Sequence, residues 1–206
     1  MIGLSGAHRT GKTTLAKALA LKCGVKFVET SASSVFAELG LDPAKTYDFS
    51  TRLTVQEAIL DRFDKIYGEN VVHDCICDRT PLDLLCYTLA EAIGNVVTPE
   101  DQARLNKYVE RCFDVANKRF STFIIVQPGI PLIEEEGKAA LNSAYIEHLN
   151  SLILGLSVDE RLKATHFYLP RRLTDLQDRI AAVENAVALT LRRYMSERDS
   201  EGHYIQ

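Results

Sequence analysis

Gly6-Ala7-His8-Arg9-Thr10-Gly11-Lys12-Thr13, with Thr14 behind it, is the stretch whose reading decides the fold. It is a glycine-bracketed turn closing in Lys-Thr, the Walker A spacing. Backbone N–H groups of such a turn surround a phosphate, the lysine reaches the terminal phosphates and the hydroxyl serves Mg²⁺. Each residue type has a physical reason. Gly6 and Gly11 permit positive φ and close approach of the backbone to an anion. A helix starting near Lys12 aims its first N–H groups at that anion. His8, Arg9, Thr10 and Thr14 complete the candidate phosphate cradle.

The spacing carries weight only between a strand and a helix. Met1-Ile2-Gly3-Leu4-Ser5 is a short apolar run suited to a buried strand. Leu15, Ala18, Leu19 and Lys22 then recur at helical spacing, among the strong helix formers Ala16, Ala18 and Ala20. Both flanks agree with the motif.

The 206 residues suit one domain, about residues 1–195, followed by a polar tail over 196–206. Apolar content of 46% and charged content of 25% are those of an ordinary globular protein. A net charge of −4 offers no general basic surface for nucleic acid. No apolar run reaches the roughly 18 residues of a membrane span. With the first strand beginning at Met1, no signal peptide is expected and the cytoplasm is the expected compartment. Cys23, Cys75, Cys77, Cys86 and Cys112 lack zinc-type spacing and read as reduced thiols.

Strands and helices then alternate along the chain. Gly24 reads as a helix C-cap and residues 25–28 as a second strand, with Glu29 and Thr30 beyond its carboxyl end. A helix to about Leu39 and another over 51–67 follow. Residues 71–78 read as the third strand, with Asp74 inside it and Asp78 at its carboxyl end. Asp78 is therefore the Walker B candidate, the alternative being a helix cap before Thr80-Pro81. Helices are expected over 82–92 and 100–119, a fourth strand over 121–126, and a helix over 140–154. An acidic connection, about 128–140, has the character of a mobile lid. A fifth strand over 165–169 precedes a helix over 173–194 whose buried stripe is Ile180, Val183, Val187 and Leu191. This alternation predicts an α/β, three-layer architecture, a parallel sheet with helices on both faces.

Three segments together carry a resemblance. They are the opening Ile2 to Thr14, the strand-end Asp78-Arg79-Thr80-Pro81-Leu82-Asp83, and Leu169-Pro170-Arg171-Arg172-Leu173 before the last helix. The chain resembles small P-loop nucleoside and nucleotide kinases, above all the nicotinamide riboside kinase-like group. Phage-encoded deoxynucleotide kinases and kinases of hydroxymethyl-pyrimidines in DNA are among its relatives. The resemblance implies a five-stranded P-loop NTPase fold in the order 2-3-1-4-5, by analogy at the level of fold. It implies ATP and Mg²⁺ as cofactors, with Lys12 on the β- and γ-phosphates, Thr13 and Asp78 at the metal, and Asp78 also near the acceptor. It places Arg79 on acceptor or phosphate, Glu29 and Gln56 on the acceptor side, and Arg171 and Arg172 beside the adenine.

The lid departs from these relatives, which tend to carry an arginine there. Lys138 is the only Lys or Arg between Thr122 and Glu160. A lysine supplies charge without the bidentate fork. The lid charge therefore comes from Lys138 or from Arg9, Arg62 or Arg79. The leading expectation is transfer of the γ-phosphate from ATP to a small nucleoside- or nucleotide-like acceptor. A hydroxymethylated base in DNA is the alternative that net acidity weighs against. A hydrolysing NTPase switch is the rival from another class. Oligomeric state is left open, a homodimer included.

Overall fold

The strands read as nearly continuous apolar runs, and the computed structural model divides their side chains between two cores on opposite faces of the sheet. It describes every residue except 43–44, 71–73, 133–141 and 202–206. Among the described residues five strands, β1 (Ile2–Ser5), β2 (Lys26–Val28), β3 (Cys75–Cys77), β4 (Thr122–Val126) and β5 (Thr165–Leu169), pair in the order β2-β3-β1-β4-β5. All pairings are parallel, with Gly3 opposite Cys77 on one side and Phe123 on the other. This is the expected P-loop fold of kinase-type members.

Among the described residues seven helices flank the sheet: α1 (Lys12–Cys23), α2 (Ser33–Glu38), α3 (Phe49–Asn70), α4 (Pro81–Ala92), α5 (Pro99–Arg119), α6 (Ser143–Ser157) and α7 (Leu176–Glu201). Leu4, Ile76, Ile124 and Val126 face a core completed by Leu15 and Leu19 of α1 and by Ile180 and Val183 of α7. Cys75, Cys77, Phe123 and Ile125, their neighbours in sequence, face a larger core with α3, α4, α5 and α6. Strands buried on both faces explain why the segments read as nearly continuous apolar runs. Cys75, Cys77, Cys86 and Cys112 are buried free thiols, and burial pushes the Cys77 thiol up to about 12.

Several boundaries move. β3 covers Cys75–Cys77, and residues 71–73 of the expected strand lie outside the described residues. Asp74 lies before it and is exposed, at the amino end of the sheet and away from the carboxyl ends. That removes Asp74 from the site. The helix after β2 spans only Ser33–Glu38, and its N-cap residue Ala32 offers no side-chain bond. In α7, Ile180, Val183, Ala186 and Thr190 are buried while Val187 is partly so; the side chain of Leu191 lies outside the described residues. The α7 backbone runs to Glu201, into the stretch expected to be tail. Gly24 closes α1 at φ 64°, with its N–H on the Leu21 carbonyl, as its C-cap reading requires. Among the described residues no helix is long and apolar enough to cross a membrane.

Gly3 sets how closely β1 is covered on its larger-core side. A Cβ there would come within 2.7 Å of the Thr80 methyl and 2.8 Å of the Phe120 ring. Gly3→Ala is therefore expected to overpack this face and cost about 1–3 kcal/mol. The check is a urea midpoint lowered with an unchanged denaturant slope.

Candidate active site

β1 ends at Ser5 against the flanking strands, and the chain turns at once through Gly6. A Cβ on Gly6 would lie 2.4 Å from the Val126 carbonyl oxygen, so only glycine fits. The expected positive φ is found at Gly11 (78°) but not at Gly6; the other left-handed residue of the loop is Arg9 (61°). Gly6 is needed for close approach, while Arg9 bears a strained backbone of about 1 kcal/mol. Gly11 is the N-cap of α1 and makes no side-chain cap bond, which leaves the first N–H groups of α1 to an anion.

Lys12 curls over the loop that precedes it. Its Nζ donates to the carbonyl oxygens of Gly6 (2.5 Å) and Ala7 (2.8 Å). Desolvation lowers its pKa, Asp83 and Asp78 oppose that shift, and Arg79 adds to it. Because β1 pairs directly with β3, the strand-end Asp78 reaches the first turn of α1. Thr13 Oγ1 donates to Asp78 Oδ2 there, and Asp78 is buried.

The cap before α4 is Thr80, not Asp78. Thr80 Oγ1 accepts the Asp83 N–H, and Asp83 Oδ2 accepts both the Thr80 N–H and its hydroxyl at 2.9 Å. The other oxygen, Oδ1, accepts the Gly6 N–H at 2.9 Å. Ser5 Oγ lies 2.6 Å from Thr80 Oγ1. A buried carboxylate thus joins the end of β1, the loop and the start of α4. Burial raises the pKa of Asp83, against Lys12 and the three donors, which lower it.

One turn further along α4, the Tyr87 hydroxyl accepts the His8 backbone N–H at 3.1 Å and lies 3.2 Å from His8 Nδ1. The phenol then donates to Nδ1, a tautomer assigned from this network. Burial, Lys12 and Arg9 lower the His8 pKa, which favours the neutral ring that role needs. The Tyr145 ring of α6 packs 5.9 Å from the His8 ring. Together these groups bound a cleft of about 390 Å³ lined by residues 8–14 and by Asp78, Arg79, Asp83 and Tyr87.

Residues 1–128 match the family model described as AAA domain. The chain belongs to the AAA domain family. No curated protein matches it in sequence. Among solved structures, this AAA domain chain is similar to deoxyadenosine kinase from M. mycoides with bound dCTP. That likeness has TM-score 0.62 and 19% identity, over 91% of this chain and 98% of the other. It is similar also to thymidylate kinase from Candida albicans, at TM-score 0.65 and 13% identity over 91% and 90%. NadR in complex with NR gives TM-score 0.62 and 17% identity, and the likeness covers 89% of this chain and 48% of that one. At such identities the likeness is one of fold.

Within this AAA domain the structure brings Gly6, His8, Arg9, Thr10, Gly11, Lys12, Thr13, Thr14, Asp78 and Arg79 together at the cleft. Others stand apart. Glu29 is exposed at the end of β2, and Gln56 of α3 has an enclosed Oε1 with no partner; neither lines the cleft. The Arg171 guanidinium is held in a double ion pair on Glu147 of α6, both contacts at 2.6 Å, and Arg172 is exposed. Arg62 pairs with Glu38 at 3.4 Å, which leaves Arg9 and Arg79 as the lid-charge candidates that line the cleft. Lys138 and most of the expected lid lie outside the described residues.

Asp83 and Tyr87 carry loop geometry and were not among the expected site residues. A signal for Asp83 was present, since Thr80-Pro81-Leu82-Asp83 has the capping-box spacing. Asp83→Asn places an amide nitrogen against one set of buried donors. It is expected to cost about 1–3 kcal/mol and to weaken ATP binding, because Gly6 or Thr80 loses its acceptor. Thermal unfolding with and without ATP checks both effects.

Proposed function

We propose that the protein is an ATP- and Mg²⁺-dependent phosphotransferase that moves the γ-phosphate to a nucleoside- or nucleotide-like acceptor. The observation that carries this reading is the convergence of charged groups in one cleft. Lys12, the first turn of α1, Asp78 held against Thr13, and Arg79 line the same space of about 390 Å³, so cations and a carboxylate meet where a phosphoryl group would be moved. A hydrolysing switch needs instead a residue that positions water and generally an arginine or surface from a partner. The kinases among the similar folds, which act on nucleosides and nucleotides by their names, support the same class of acceptor.

The residues present fit Mg²⁺. Thr13 Oγ1 and Asp78 Oδ2 bring a hydroxyl and a carboxylate oxygen together. Among the described residues no group of three His, Cys, Asp or Glu could hold a metal. Two protein oxygens suit a hard cation that keeps waters and phosphate oxygens as its other ligands. When bound, Mg²⁺ neutralises charge on the phosphates. Lys12 would neutralise the migrating group, and Arg79 would orient acceptor or phosphate. Asp78 would hold the metal and accept the hydroxyl proton. Glu29 and Gln56 remain the proposed acceptor-side residues, Arg171 and Arg172 the adenine-side ones, and Lys138 the lid charge. A small acceptor fits the cleft volume and the net charge of −4 better than a base in a DNA strand.

The test is an acceptor screen with γ-labelled ATP, covering nucleosides, nucleoside monophosphates, nicotinamide riboside and hydroxymethylated DNA, with free phosphate measured alongside. Label in a small acceptor is expected. Free phosphate with no labelled acceptor would point to the switch. Lys12→Ala is expected to lower turnover by roughly 10²-fold or more. Asp78→Asn should do likewise at near-normal melting temperature, because helix capping rests on Thr80 and Asp83. Lys138→Ala should lower turnover more than ATP affinity if its charge reaches the phosphoryl group only on closure. An unaltered turnover would move that role to Arg9 or Arg79.

A further inference from the structure

Arg179, in the first turns of α7, sends its side chain to the back of the phosphate loop. Nη2 donates to the Thr10 carbonyl oxygen at 2.9 Å. Nη1 lies so near Gly11 that a Cβ there would stand 2.9 Å from it. The residue is 4% exposed and its Nε has no hydrogen-bond partner. Arg52, Arg104 and Arg119 are also partly buried, and each holds a carboxylate, on Glu91, Glu57 and Asp64. Arg179 is more buried than these and, among the described residues, has no carboxylate at ion-pair distance. Desolvation alone accounts for its lowered pKa.

A buried guanidinium without an anion is costly, so its retention needs a return. The planar trans peptide supplies one part. With the Thr10 C=O held toward α7, the N–H of Gly11 in the same peptide points the opposite way, toward the cleft that Thr10 and Gly11 line. Charge supplies the other part, since the segment from Thr122 to Glu160 carries one cationic side chain, Lys138, beside six carboxylates.

We propose that Arg179 belongs to the nucleotide site as a positioning residue. It orients the Thr10–Gly11 peptide so that the Gly11 N–H faces the donor's phosphates, and it sets a desolvated positive charge behind the loop that favours a polyphosphate. The inference rests on the reading that this loop holds a nucleoside polyphosphate. The interaction grows with the number of phosphates, because each adds negative charge within reach of the same buried cation.

The experiment compares dissociation constants of ATP, ADP and AMP for wild type, Arg179→Gln, Arg179→Met and Arg179→Lys. The Gln and Met variants are expected to lose ATP affinity by about tenfold or more while AMP affinity changes little. Lys, which keeps the charge, should preserve the preference for ATP over AMP. Lower melting temperatures with an unchanged ratio of ATP to AMP affinity would reduce Arg179 to a packing residue and overturn the proposal. Should the neutral variants fail to fold, the Nε–H resonance of Arg179 in arginine-labelled wild type replaces them. It should shift with ATP and not with adenosine, and an unmoved resonance overturns the proposal. Wild type that binds no nucleoside polyphosphate would overturn the kinase reading and this one with it. Wild type that binds ATP alongside variants that match it would overturn this one alone.

Discussion

No side chain can stand at residue 6, because a Cβ there would meet the Val126 carbonyl at 2.4 Å. This exclusion fixes where the phosphate loop leaves the sheet. The loop starts pressed against the end of β4, and the only donor Gly6 has is taken by Asp83. Everything after Gly6 inherits that start. Arg9 is bent into the left-handed region, Gly11 caps α1, and Lys12 returns to the carbonyls of Gly6 and Ala7. The backbone of a phosphate loop has to expose donors without falling back on itself, and here the carbonyls are occupied from several sides.

Two buried charges of opposite sign hold the loop from opposite faces of the sheet. Asp83 comes from α4, on the side of the larger core, and grips N–H groups. Arg179 comes from α7, on the side of the smaller core, and grips a C=O. The helices that sandwich the sheet therefore do more than cover apolar strands. Each delivers one ionised group to the loop, where desolvation strengthens every hydrogen bond it makes. The electrostatics are not symmetric: Asp83 has three donors and Lys12 nearby, and Arg179 has a single carbonyl.

What was legible in the sequence was what is local. The Walker A spacing, the apolar run of β4 and the helical period of α1 each lie within a short stretch of chain, and they are found where read. Asp78 was legible because strand-end position follows from the same run. The partners that fix the loop were not. Asp83 stands at the capping-box spacing after Thr80, but its bond to Gly6 spans 77 residues of sequence and no spacing encodes it. Arg179 lies 169 residues from Thr10 and reads as one polar residue of an amphipathic helix. Asp74 failed in the other direction: its place in an apolar run suggested a strand, yet the strand begins at Cys75.

The place of α4 beside the cleft follows from the same constraint. Asp83 must reach Gly6, so the first turn of α4 is held against the loop. A helix so placed carries Tyr87, one turn on, to the backbone N–H of His8. The neutral imidazole then lies between the Tyr87 phenol and the Tyr145 ring of α6. A protonated His8 could not accept the phenol hydrogen, so the lowered pKa from burial, Lys12 and Arg9 preserves this contact at neutral pH. The apolar, aromatic side of the cleft is thus built from the phosphate loop outward. The same carboxylate that holds the phosphate loop also decides how closely α4 approaches it.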